Sequence, residues 1–127
     1  MLAELGGRGA TLFVATSKPT LYAERILRHF RLDHHFAGVY GAELDGRLDD
    51  KADLLAHLLA CERLSASAAI MIGDRAADVR AARANGVRAV GVLWGYGAAD
   101  ELREAGADTL GADPAAVLAC LPAISRR

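Results

Sequence analysis

Two aspartates four residues apart, Asp74 and Asp78, follow the apolar run Ile70-Met71-Ile72-Gly73. Carboxylate oxygens are hard ligands. Mg2+ characteristically takes one or two of them and leaves its other positions to water and phosphate. At a strand tip and in the first turn of the next helix, the two carboxylates can face one crevice. The same spacing suits a turn aspartate followed by a helix-capping one, and spacing alone leaves both readings open. Thr16-Ser17 closes an earlier apolar run. A hydroxyl beside successive backbone N–H groups at a helix N-terminus makes an anion site, although a Ser/Thr helix cap uses the same residues. Lys51 stands at the expected start of another helix, where the positive end of the macrodipole disfavours a cation. Asp49 and Asp50 can offset that cost on an ordinary surface. Near a phosphate, Lys51 would neutralise developing charge.

These side chains act together only if strands and helices present them together. Thr11–Ala15 (TLFVA) reads as a buried strand. Pro19 suits the first turn of a following helix, in which Tyr22, Ile26, Leu27 and Phe30 recur at helical spacing. Phe36–Tyr40 is a second strand candidate and Gly41–Arg47 a loop. Leu54, Leu55, Leu58, Leu59 and Cys61 give Ala52–Leu64 one apolar face. Ala68–Ile72 and Val87–Leu93 read as strands, separated by a helix from about Asp78 to Ala84 that Asn85-Gly86 stops. Trp94-Gly95-Tyr96-Gly97 is a tight Gly-rich turn with partly buried aromatics. Ala99–Ala105 is a short helix stopped by Gly106, and Asp108–Leu110 a minimal strand. Asp113-Pro114 then supplies an N-cap and first-turn proline for a last helix through Leu121. Alternation with short connections implies an α/β fold, a parallel sheet with flanking helices. One domain over residues 1–127 is expected. Ligands of such sheets bind beyond the carboxyl ends of the strands, where Thr16, Asp74 and Asp78 fall.

Composition narrows the function classes. Fifteen Lys and Arg against sixteen Asp and Glu leave a net charge of −1, which argues against a non-specific nucleic-acid binder. The apolar runs are far shorter than the ~20 residues of a membrane span. No basic segment precedes an apolar one at Met1, so a secretory leader is not expected and a cytoplasmic setting is. Cys61 and Cys120 sit in Leu-rich helical contexts and read as small core residues in a reduced compartment. Gly6-Gly7-Arg8-Gly9 lacks the G-K-[ST] ending of a phosphate loop. His34-His35 has no third ligand nearby in the sequence and reads as surface.

In order along the chain, Thr16 after a strand, Lys51 at a helix start, then Gly73-Asp74-x-x-x-Asp78 resembles the haloacid dehalogenase superfamily. Tyr40-Gly41-Ala42-Glu43-Leu44-Asp45-Gly46, Asn85-Gly86-Val87 and Gly91-Val92-Leu93-Trp94-Gly95-Tyr96-Gly97 resemble its phosphoglycolate-phosphatase-like members. The resemblance implies a Rossmann-like core in which Thr16 and Ser17 bind phosphate. It implies that Lys51 pairs with the phosphoryl group, and that Asp74 and Asp78 bind or orient Mg2+. The substrate implied is a small phosphorylated metabolite, with neither nucleic acid nor membrane as a partner. Family members begin with a D-x-D strand whose first aspartate is the phosphoryl-accepting nucleophile. This chain has no two aspartates separated by one residue. By the resemblance, that strand, the central one, and the helical cap domain are expected to be missing. The chain would then be an incomplete core, inactive by itself, because an aspartyl-phosphate cannot form without its carboxylate. The alternative is a non-catalytic module that binds phosphate, metal or a protein partner. With the central strand missing, a homo-oligomer or the missing N-terminal segment is expected to cover the sheet. A phospho-receiver domain fits less well, because there the acidic pair precedes the lysine. A dinucleotide-binding domain fits least, for want of a G-x-G-x-x-G after a strand.

Overall fold

The computed structural model describes Gly7 and residues 10–42, 50–95 and 97–120. The chain divides into two compact units, residues 1–50 with 122–127 and residues 51–121.

In the first unit, β1 (Phe13–Pro19) lies parallel to β2 (Gly38–Ala42), with α1 (Thr20–His29) and a one-turn 3-10 helix (Asp33–His35) between them. The ladder is regular from Phe13 to Ala15 and then slips. β1 advances four residues, Ala15 to Pro19, while β2 advances two, Tyr40 to Ala42. Thr16, Ser17 and Lys18 therefore bow out of the ladder at its carboxyl end. Gly41 makes this possible. A Cβ there would run into the carbonyl oxygen of Lys18 and lie 2.7 Å from the nitrogen of Thr20. The Gly41 N–H instead donates to the Thr20 hydroxyl at 3.0 Å. Pro19 caps α1 with φ −55°, a conformation its ring already imposes.

Several sequence expectations need correction here. β1 begins two residues later than Thr11 and runs past Ala15. Gly41 and Ala42 belong to β2 rather than to a loop, and the rest of the expected loop, residues 43–47, lies outside the described residues. The apolar stripe of α1 is not its buried face. Tyr22, Ile26 and Phe30 are exposed, whereas Ala23 is buried.

The second unit is a three-stranded parallel sheet in the order β3 (Ile70–Gly73), β4 (Arg88–Val92), β5 (Thr109–Gly111). Four α-helices accompany it among the described residues, α2 (Lys51–Cys61), α3 (Ala76–Ala84), α4 (Ala99–Ala105) and α5 (Pro114–Cys120), with a one-turn 3-10 helix (Ala66–Ala68) before β3. The alternation of β4 sorts the core into two faces, as strand geometry requires. Ala89 joins Leu55, Val79, Ala82 and Leu102 on one side. Val90 and Val92 pack with Val117, Ile70 and Ile72 on the other. Gly91 must be small, since a Cβ would lie 2.8 Å from Leu110 Cδ2. Gly86 and Gly106 end α3 and α4 with φ of +71° and +99°, conformations that glycine adopts without steric cost.

Asp108 does not start a strand. It is exposed, and its carboxylate accepts the Ala89 N–H at 2.8 Å, fastening the start of β4. Asp113 caps α5 as its sequence suggests, accepting from Ala116 N at 2.8 Å. Cys61 is exposed rather than in the core, with its sulfur 3.4 Å from His57 Nε2. It occupies the last turn of α2, beyond the buried Leu54, Leu55 and Leu58. The side chain of Cys120 lies outside what is described. Among the described residues, no helix is long and apolar enough to cross a membrane.

Candidate functional site

The apolar run of β3 ends at Gly73, and Asp74 follows at its carboxyl tip. A side chain on Gly73 would collide with that of Asp78. Glycine here lets α3 begin immediately and fold its third residue back under the strand end. Asp78 uses that room. Its Oδ2 accepts the backbone N–H groups of Asp74 at 3.2 Å and Arg75 at 3.3 Å. These donors belong to the turn that opens α3, where backbone N–H groups lack helical partners. The capping reading of Asp78 is therefore correct, but incomplete.

The other oxygen of Asp78 faces a cation. Lys51 Nζ lies 2.9 Å from Asp78 Oδ1, with the two side chains only 14% and 12% exposed. Lys51 is the first residue of α2, a position at which the macrodipole resists a positive charge. The Asp78 carboxylate offsets that resistance. A lysine kept this far from water is not an ordinary surface residue, and Asp78 is one carboxylate that offsets its charge. Asp78 is the buried charged residue of the described chain, 8% exposed overall. Both of its oxygens have protein partners, so it braces the Asp74 turn against Lys51.

A divalent ion here would be held by Asp74, with Asp78, whose oxygens already have protein partners, beside it to bind or orient it. Among the described residues, no three His, Cys, Asp or Glu side chains gather into a ready-made cage. Two carboxylates at a strand tip fit Mg2+, which keeps several waters and shares its sphere with phosphate, better than a closed four-ligand site such as structural zinc.

Gly95 and Gly97 of the expected Gly-rich turn, and Glu101, which the sequence did not single out, complete the turn. The loop after β4 presses its backbone on Asp74. A Cβ on Gly95 would run into the Asp74 side chain, and one on Gly97 into the Asp74 carbonyl oxygen. Glu101, in the first turn of α4, accepts hydrogen bonds from Arg75 and Ala76. The expected tight Gly-rich turn is real, but Trp94 is 48% exposed, and Tyr96 lies outside the described residues. The glycines make room for Asp74. The available signal was their place directly after β4, the strand beside β3.

Thr16 belongs to the first unit. It sits in the bowed end of β1, and its hydroxyl accepts the Lys18 N–H at 3.2 Å, a local turn of the kind Ser and Thr favour. The Ser17 side chain lies outside what is described. The second unit brings Lys51, Asp74 and Asp78 together. A separate depression of about 350 Å³, lined by Arg83, Gly86, Val87, Arg88 and Asp108, opens at the amino end of β4, opposite the strand end that carries these residues.

The chain is similar to known proteins over most of its length. Residues 1–92 match a family described as haloacid dehalogenase-like hydrolase. A 5'-nucleotidase of Pseudomonas aeruginosa is 52% identical over 103 residues, covering 81% of this chain and 47% of the relative. A protein of Mycobacterium tuberculosis named tyrosine-protein kinase PtkA is 48% identical over 100 residues, covering 79% of this chain and 34% of that one. Phosphoglycolate phosphatases also stand among the relatives. The crystal structure of a predicted phosphatase from Clostridium acetobutylicum superposes with a TM-score of 0.84 at 40% identity, over 86% of this chain and 50% of that one. The chain thus spans about half the length, or less, of the proteins it matches.

Proposed function

The chain belongs to the haloacid dehalogenase-like hydrolase family, and from that premise we propose that it is part of the core of a Mg2+-dependent phosphatase acting on a small phosphomonoester. The observation that carries this reading is the pairing of Lys51 with Asp78 at 2.9 Å, with Asp78 bonded in turn to the Asp74 backbone. A lysine from one helix start and an acidic turn from a strand tip, buried together, suit a dianionic phosphoryl group. An isolated ion pair has no need of that arrangement.

In this reading Asp74 holds the metal and Asp78 orients both Asp74 and Lys51. Lys51 pairs with the phosphoryl oxygens, and Thr16, with Ser17 beside it, donates to them. Bound at Asp74, Mg2+ would supply charge that offsets the phosphoryl group during in-line displacement. The residues present bind, orient and neutralise. The covalent step needs a carboxylate nucleophile, and the D-x-D pair that carries it in the family is absent from this sequence. We therefore propose that this chain holds metal and phosphate but does not turn over substrate by itself. Its cytoplasmic setting, and a metabolite rather than nucleic acid or membrane as its partner, belong to the same proposal. So does cover for the sheet from a second copy or an N-terminal segment.

The missing D-x-D also favours a second reading, a module that binds phosphate, metal or a protein without catalysis. One experiment separates the two. A D-x-D-bearing segment from a full-length relative is fused ahead of Met1, and phosphate release from p-nitrophenyl phosphate is measured with and without Mg2+. The phosphatase reading predicts Mg2+-dependent release by the fusion, none by the unfused chain, and loss in Lys51→Met and Asp74→Asn. A folded fusion that releases nothing contradicts it and leaves the binding module.

A further inference from the structure

Glu101 spends its carboxylate on the two residues that follow Asp74. Arg75 Nε donates to Oε2 at 3.2 Å, Arg75 Nη2 to Oε1 at 3.2 Å, and the Ala76 N–H to Oε2 at 3.1 Å. Ala76 is the first residue of α3, so this last bond satisfies a donor that the helix leaves open. Gly97 is part of the same contact. A Cβ there would meet the Asp74 carbonyl oxygen and lie 2.7 Å from Glu101 Oε2. The start of α4 and the loop before it thus close on one short piece of backbone, residues 74–76.

We propose that Glu101 is a positioning residue for the metal site, fixing the backbone from which Asp74 presents its carboxylate. The proposal rests on the reading of Asp74 as a metal ligand. Exposure distinguishes positioning from simple stabilisation. The Arg75 and Glu101 side chains are 56% and 32% exposed, and ion pairs that open to water add little to folding. A planar guanidinium held at two points is nonetheless directional. The Ala76 N–H at the same carboxylate makes three restraints on one turn. Loss of a group bonded directly to a ligand typically weakens metal binding about 10–100-fold; Glu101 acts one step further out, through the Arg75 side chain and the Ala76 N–H, and a smaller effect follows.

The test uses the full 127-residue chain and Mn2+ as the probe, read by electron paramagnetic resonance and competed with Mg2+. Glu101→Ala is expected to weaken Mn2+ binding severalfold, up to about tenfold, with the thermal midpoint nearly unchanged. Glu101→Gln keeps an acceptor for Ala76 N–H but loses the charge facing Arg75, and should fall between. Amide hydrogen exchange is measured on the same variants without metal. Exchange at Asp74 and Arg75 should accelerate about tenfold in Glu101→Ala, while Ala82 in the core stays protected. Unchanged exchange at Asp74 and Arg75 overturns the proposal whether or not metal binds. So does accelerated exchange with unaltered Mn2+ affinity. Failure of the unsubstituted chain to bind Mn2+ would instead refute the metal reading of Asp74.

Discussion

Replacing Lys51 by Met removes a charge whose partner stays behind. Lys51 Nζ and Asp78 Oδ1 are 2.9 Å apart at 14% and 12% exposure, so Asp78 cannot recover much hydration. Breaking a buried pair by deleting one member costs about 3–5 kcal/mol when the remaining charge is uncompensated. Asp78 retains two backbone N–H donors at 3.2 and 3.3 Å, and bonds to charged groups are worth about 1.5–3 kcal/mol each. The expected loss for Lys51→Met is therefore lower, about 2–3 kcal/mol. Asp78→Asn should also destabilise, since it sets an amide against the ammonium. The double variant should be less damaged than the sum of the two, by at least about 1 kcal/mol, because the two groups act on each other. Urea unfolding followed by circular dichroism measures all four corners of this cycle. Additive losses, or a Lys51→Met cost below about 0.5 kcal/mol, the size of an ordinary surface change, would refute a buried functional pair.

Two further substitutions probe the supports of the site. Gly97→Ala places a methyl group against the Asp74 carbonyl and the Glu101 carboxylate. It should cost about 1–3 kcal/mol as overpacking, seen as a lower urea midpoint with an unchanged slope. Leu102 of α4, completely buried in the cluster formed with α2, α3 and β4, should cost about 2–5 kcal/mol on truncation to Ala. A drop in thermal midpoint should report it, and a shift of only a degree or two would show that α4 is not anchored through this residue.

Much of this fold is legible in the sequence because local chemistry and packing agree. Apolar runs such as Ile70-Met71-Ile72 and Ala89-Val90 lie on strands, Gly86 and Gly106 stop helices with positive φ, and Asp113 caps α5. Expectations failed where a residue type fits two environments. The Tyr22, Ile26 and Phe30 stripe has the right period for a core face, yet Ala23 is buried instead, because periodicity fixes neither the rotation of a helix nor its distance from a sheet. Cys61 is apolar enough for a core but lies past the end of its buried stripe. The Asp74–Asp78 spacing was readable, and so was the helix-start position of Lys51. Their direct pairing was not, since it depends on how α2 packs against α3. The part that Gly95 and Gly97 play beside Asp74, and Glu101 altogether, escaped for a similar reason. Their contacts with residues 74–76 arise from the adjacency of β3 and β4, which no local pattern encodes.

Titration of Mn2+ into the intact chain and its Asp74→Asn variant, in the presence of inorganic phosphate and read by electron paramagnetic resonance, tests the site most directly. One saturable site, displaced by Mg2+ and abolished by Asp74→Asn while the far-ultraviolet spectrum stays unchanged, is the predicted result. No saturable binding, or equal binding by the two proteins, would mean that the strand tip at Gly73 carries a helix cap and an ion pair and nothing more.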